Sequence, residues 1–414
     1  MRDSAQSCNP LSTCAPALNS RHIIVRSVRR RLSILSVLVV LSVGLVGCDS
    51  GGADQNSLST EKAKQEVRNL DRTLSSDVSN LTGGNAARAL RGLNKPVEVE
   101  RNGSTVERPL GLVLVSALDR QDISPESTGE YSWDSSTASW VDEGTANGAL
   151  ILNFPTSPTA YANNANNATF TLAEYETTTV TLDGEPAEVP ASVNVSITVE
   201  SVGEIFSVDL SNTSFYDGQI DGSQVPKSVL LKVLTDPHFH TVQLDSPSKD
   251  QFNVAFDLEK GGEGGETVLG LRAEATLTDD FDTVADDADV GAGIDELAGT
   301  IELGPDATID YTIDGSGAAG LSADPSLEEI NNQFSATVNV GGEKAGDIKF
   351  AETTQNGVTR IIPVIVYPNG DQEPLRQVFS GTVETLSGPS TGGIREAITS
   401  MSRSVRNAVL WVVQ

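Results

Sequence analysis

Between Val189 and Leu277 apolar and polar residues alternate, position by position, in several separate runs. Val193, Val195, Ile197 and Val199 interleave with Asn194, Ser196, Thr198 and Glu200. Phe206, Val208 and Leu210 repeat the pattern, and Phe252, Val254, Phe256 and Leu258 interleave with Asn253, Ala255, Asp257 and Glu259. A period of two sends one set of side chains to each face of a strand, which predicts an antiparallel sheet with one dry and one wet side. The segment Val189-Pro190-Ala191-Ser192-Val193 returns as Val225-Pro226-Lys227-Ser228-Val229. A strand, a turn and a return strand follow each copy, so two successive long hairpins of one meander are expected.

Upstream of this section the period is helical. Ala63, Val67, Leu70, Leu74, Val78 and Leu81 recur at spacings of three and four from Thr60, the expected N-cap, until Gly83-Gly84. A second, short helix is predicted over Asn85 to Leu93. Strands should flank Asn102-Gly103, a hairpin signal, and residues 110–117 are apolar with no clear alternation. Gly129 to Val141 predict a hairpin that places Tyr131 and Trp133 opposite Trp140. Ala149 to Phe154 predict a buried strand, and Thr169 to Tyr175 another. Beyond an Asp- and Gly-rich stretch at 279–295, strands are expected at 299–303, 308–313, 334–340, 347–350, 358–367 and 376–383. A helix should start at Asp324-Pro325, with Asp as cap and Pro in the first turn. After Gly392-Gly393 a last helix is expected, with Ile394, Ile398, Met401, Val405 and Val409 on one stripe. The expected fold is mainly β with flanking helices (α+β). It is a large curved antiparallel sheet or half-barrel, with N-terminal and C-terminal amphipathic helices packed on its apolar face.

The first 47 residues have a different character. Arg26, Arg29, Arg30 and Arg31 precede an apolar run from Leu32 to Val46, and Leu45-Val46-Gly47-Cys48 closes it. A basic stretch, an apolar stretch and a small residue follow the grammar of a secretory signal. The run is shorter than the roughly 20 residues a bilayer span needs. Its Leu-Val-Gly-Cys ending resembles the lipobox of bacterial lipoproteins. That resemblance implies cleavage before Cys48, a diacylglycerol on its thiol, and a protein lipid-anchored in the cell envelope, facing the periplasm or the exterior. The expected organisation is a removed leader at 1–47, a flexible tether at 48–59, a helical segment at 60–93, a β domain at 96–392 and a C-terminal helix at 393–414. The lead-in from Met1 to Arg21 fits no signal peptide and suggests a later start, at Val25 or Val28.

Charge narrows the partners. The sequence has 28 basic and 57 acidic residues, of which six and one precede Cys48, so the chain from Cys48 onward carries 22 against 56, a formal charge of −34. Nucleic acid would be repelled, and the composition resembles that of proteins from salt-loving bacteria. Of three cysteines only Cys48 follows the leader, so neither a disulfide nor a thiol nucleophile is expected in the exported chain.

Candidate chemistry is sparse. His238 and His240 stand two apart and would share a strand face, so both imidazoles would reach one metal if a carboxylate completed the site; a hairpin-end pair is the plainer alternative. The clusters Asp279-Asp280-Phe281-Asp282 and Asp286-Asp287-Ala288-Asp289 miss the EF-hand pattern and fit a hydrated acidic loop. Tyr131, Trp133 and Trp140 offer either an aromatic platform for a sugar or an ordinary cross-strand pair. Ser59 and Ser246 each begin a Ser-x-x-Lys, without the companion signatures of penicillin-binding enzymes. No residue is assigned a catalytic role, and no cofactor is implied. In element order and alternation the chain resembles the half-barrel lipoprotein carriers of the LolA and LppX type. That resemblance implies a sheet holding acyl chains and transfers no binding residue. The expected function is a lipid-anchored, non-enzymatic envelope protein binding a hydrophobic small molecule or lipid. A surface adhesin or glycan-binding module and a hydrolase with a carboxylate site are the alternatives.

Overall fold

The computed structural model describes residues 57–80, 84–101, 104–182, 184–220, 222–284, 293–315, 325–355 and 358–382. Helices α1 (Thr60–Asn80) and α2 (Asn85–Leu93) come first, followed by a small hairpin, β1 (Pro96–Arg101) and β2 (Ser104–Pro109), and by α3 (Leu110–Arg120). Strands β3 (Gly129–Asp134), β4 (Ser139–Gly144) and β5 (Leu150–Phe154) lead through α4 (Pro158–Ala162) into four long strands. These are β6 (Ala168–Leu182), β7 (Glu185–Val199), β8 (Gly203–Ile220) and β9 (Ser223–Thr235). The meander continues as β10 (His238–Ser248), β11 (Gln251–Lys260), β12 (Glu266–Leu277), β13 (Ile294–Leu303) and β14 (Ala307–Asp314), with α5 (Phe281–Val284) after β12. It ends with α6 (Leu327–Asn332), β15 (Phe334–Val340), β16 (Glu343–Gln355), β17 (Val358–Val366), β18 (Gln372–Pro374) and α7 (Leu375–Val378).

Sixteen strands make one open sheet, running in sequence order from β18 down to β5 and then to β3 and β4. The fold is therefore mainly β with flanking helices, as the alternation predicts. Strand pairing is antiparallel throughout except between β3 and β5, which are parallel because β4 folds back to the outer edge. Residues paired across strands share a face, so the register shows how far the dry side extends. Leu172, Val195, Val208, Val233, His240, Leu258, Leu269, Leu303, Ala307 and Val340 form one unbroken row over ten strands.

Two local expectations are corrected, and the unassigned residues 110–117 are helical. Leu110, Val113, Leu114, Ala117 and Leu118 form the buried stripe, while Leu112 and Val115 are exposed and blur the period. The strand expected at 376–383 is replaced by α7, because β17 has only three residues of partner in β18 and Val378 turns into the core instead. The helix start near Asp324-Pro325 is capped by Ser326, whose hydroxyl accepts from the Glu329 N–H while the Glu329 carboxylate accepts from the Ser326 N–H. Asp324 itself, the Asn102-Gly103 turn, Cys48 and the helix expected at 393–414 lie outside the described residues.

Helices cover the apolar face at its two ends. On β12–β18, Ala63, Val67 and Leu74 of α1, with Val378 of α7, pack on Leu271, Leu297, Ile309, Val338, Ile348 and Ile365. Ala63, Val67 and Leu74 of the stripe predicted from spacing are thus buried and Leu70 partly so, while the Val78 side chain and Leu81 lie outside the described residues. On β3–β8, Ala86 of α2, Val97 of β1 and Leu110, Val113 and Ala117 of α3 close over Trp133, Leu150, Leu172, Val193 and Val195. Helix α1 crosses the strand ends. Lys62 pairs with Glu343 at 3.1 Å beside β16, and Asp77 pairs with Lys260 at 3.1 Å at the end of β11. Fifteen residues of helix span about 22 Å, close to the five strand spacings, about 24 Å, that separate β16 from β11. The chain then turns over the β9–β10 connection. A Cβ on Gly84 would lie 2.1 Å from the Asp236 carbonyl oxygen, so only glycine fits there.

Candidate functional site

The two faces of the sheet offer different surfaces. On the dry face, β9–β11 separate the two cores. Leu231, Val233, Val242, Leu244 and Val254 point to that face by register, are half-buried, and belong to neither core. Phe206, Val208 and Leu210 border this strip on one side, and Phe256 and Leu269 on the other, each only partly buried against its own core. Small aromatic packing closes one end, where Phe281 of α5 is buried between Tyr216 at 5.5 Å and Phe252 at 6.3 Å.

At the other end of the strip stand the two histidines. They share the dry face of β10, as their spacing predicts. His238 is 1 % exposed, and neither ring nitrogen has a hydrogen-bond partner among the described residues. The His240 Nε2 lies 2.9 Å from the Thr235 hydroxyl. Burial, aided by the neighbouring His238, pushes the His240 pKa down to about 4, and burial lowers that of His238 as well. Both imidazoles are therefore held neutral at pH 7. Among the described residues no group of three His, Cys, Asp or Glu side chains lies close enough to hold a metal.

The wet face carries a groove of about 730 Å³ across β10–β15. Two rows of side chains floor it. Gln243, Ala255, Arg272, Thr300, Asp310 and Thr337 make one; Asp245, Asn253, Glu274, Ala298, Thr312 and Ser335 make the other. Several of these groups are already engaged within the sheet. Arg272 pairs with Asp257 at 2.7 Å, and Asp310 accepts from Thr300 at 2.8 Å and from Asn339 at 2.9 Å. The groove thus suits polar ligands, and the strip on the opposite face suits apolar ones.

The remaining candidates have structural surroundings. Trp133 and Trp140 face each other across β3 and β4 at 5.3 Å, edge to face, and are 1 % and 4 % exposed. The Trp140 indole N–H donates to the Leu114 carbonyl, so neither ring presents a face to a sugar. Tyr131 is half-buried on the same side of β3. Asp279 accepts from the Asp280 N–H at 2.8 Å and helps turn the chain into α5, whereas Asp286, Asp287 and Asp289 lie outside the described residues. Ser246 is fully buried, and its hydroxyl donates to the carbonyls of Ser248 and Gln251, closing the β10–β11 turn.

Sequence periodicity missed the open strip because Leu230 and Leu234 interrupt the alternation of Val229, Leu231 and Val233. No protein-family model, no curated protein and no solved structure matches this chain.

Proposed function

We propose that this chain is a lipid-anchored, non-enzymatic protein of the cell envelope, tethered through Cys48, which holds an aliphatic chain on the open strip of β9–β11. The single observation behind the ligand is the half-buried row Leu231, Val233, Val242, Leu244 and Val254, which belongs to neither core and which, among the described residues, no helix covers. An apolar stretch of this kind is a common mark of a binding surface. The anchor rests on Leu45-Val46-Gly47-Cys48 behind its apolar run. Among the described residues no helix is long and apolar enough to cross a membrane.

Two experiments separate the parts. Cys48→Ser should leave the precursor unshortened and abolish its labelling by a radioactive fatty acid; a product that is still shortened or still lipid-labelled would refute the anchor. A fluorescent long-chain fatty acid titrated into purified protein should saturate near one per chain, and Val242→Asp should abolish that signal. Equal binding by wild type and variant would refute the strip as the site. The wet-face groove, about 730 Å³ and polar, favours a second reading as a glycan-type binder. It predicts binding that Val242→Asp leaves intact and Asn253→Ala weakens.

A further inference from the structure

A second cleft lies at one end of the sheet, between α2, the β7–β8 turn and the chain at Thr156 and Ser157, with a volume of about 540 Å³. Its lining contains Arg88, Arg91 and Lys95 and no carboxylate. In a chain with twice as many acidic as basic residues, that lining is the reverse of the surroundings. The three cations follow one another at spacings of three and four, so they occupy one side of α2 and its C-terminal turn. The remaining wall is neutral and rich in hydrogen-bonding groups, including Asn167 and Ser201.

The helix is seated so that this wall is close. A Cβ on Gly92 would lie 2.1 Å from the Thr156 carbonyl oxygen, so α2 abuts the opposite wall directly. Asn167 accepts from the Thr156 N–H at 2.9 Å and donates to its hydroxyl at 3.0 Å, which fixes that wall. Arg88 is steadied by the Asn85 side chain, itself bonded to Asp236. Seven cations elsewhere in the described body have an acidic partner: Lys62, Lys64, Arg68, Lys232, Lys260, Arg272 and Lys344 each pair with a carboxylate. No ion pair within the described residues joins Arg88 or Lys95 to a carboxylate.

We infer that this cleft binds a phosphate-type dianion, held by Arg88 and Lys95 and by the neutral groups opposite. The Arg88 guanidinium offers paired N–H donors to phosphate oxygens, and the lysine adds a point charge. The phosphate belongs either to a free phosphorylated solute or to the headgroup of a lipid. This inference stands apart from the apolar strip and survives if no aliphatic ligand is found there.

The test uses the full chain at low ionic strength, titrated calorimetrically with inorganic phosphate and, in a parallel arm, with a short-chain soluble phosphatidate. Saturable binding at one site is expected in at least one arm, weakened about tenfold per charge removed in Arg88→Gln and Lys95→Gln. Phosphatidate binding much more tightly than phosphate identifies a lipid headgroup, and equal affinities identify the free anion. Arg88→Lys should recover part of the loss, which a merely structural role in the α2 terminus does not require. No saturable binding in either arm, or unchanged affinity in a folded Arg88→Gln/Lys95→Gln double variant, overturns the inference. Circular dichroism and melting temperature establish that the variants are folded.

Discussion

The ends of the sheet and its centre are built from the same alternating strands but differ in their cover. On β12–β18 and on β3–β8, helices meet the dry face and several side chains fall to nearly zero exposure, among them Val67, Leu110, Trp133, Val338 and Ile365. On β9–β11 the same face continues through Leu231, Val242 and Leu244, and none of these is fully buried. Sheet hydrogen bonds run without a break from one end to the other, so the backbone is continuous while the hydrophobic packing is not. A sheet this wide does not need one core. Two cores joined by a bridge of paired strands suffice, and no described helix covers the apolar side chains of the bridge.

The contrast is broken most forcefully by cutting a core residue and a bridge residue alike. Trp133→Ala should cost about 3–5 kcal/mol in urea unfolding, the range for deleting a buried aromatic, while Val242→Ala should cost about 1 kcal/mol or less. Comparable losses at the two positions would mean that the centre is as tightly packed as the ends.

Next in size is a pH effect at the junction of bridge and helices. In the folded protein His240 titrates at about 4, against about 6.5 when unfolded. Its folded pKa is depressed, so between pH 6.5 and 4 only the unfolded chain takes up the proton, and stability falls as pH falls through that window. The full difference is about 3 kcal/mol. Below pH 4 this contribution levels off. His240→Gln should flatten the pH dependence of the melting temperature across that window, and an unchanged slope would place the acid sensitivity elsewhere.

The smallest effect concerns the last described turn. Asp71 of α1 accepts the N–H groups of Gly381 and Thr382 at 2.9 and 2.8 Å, tying the end of β18–α7 to the helix that covers that core. Asp71→Asn keeps one acceptor and removes the charge, so a loss of about 1 kcal/mol is expected. Hydrogen exchange should accelerate at Gly381 and Thr382 and remain unchanged in β9–β11.

Much of this arrangement was legible in the sequence, and the exceptions are instructive. The one-sided strands of β7, β8 and β11 and the α1 stripe were plain because each carries a single clean period. Helix α3 was hidden because Leu112 and Val115, both exposed, fill in its polar side. The parallel β3–β5 pair left no local trace, since strand order is decided by where β4 folds back. His238 and His240 were correctly placed on one face, but the packing of Gly84 and Asn85 on Asp236-Pro237 beside them joins residues more than 150 positions apart in the chain. The basic cleft was missed because Arg88, Arg91 and Lys95 look like an ordinary solvated helix side until the β7–β8 turn and Thr156 are brought opposite them.

The measurement closest to the central claim is mass spectrometry of an organic extract from natively purified protein, run beside a Leu231→Asp/Val242→Asp variant of verified fold. A stoichiometric aliphatic molecule that is not covalently attached to the chain should accompany the wild type and be missing from the variant. An extract empty for the wild type, or equally loaded for both, would contradict a binding role for the bare centre of the sheet.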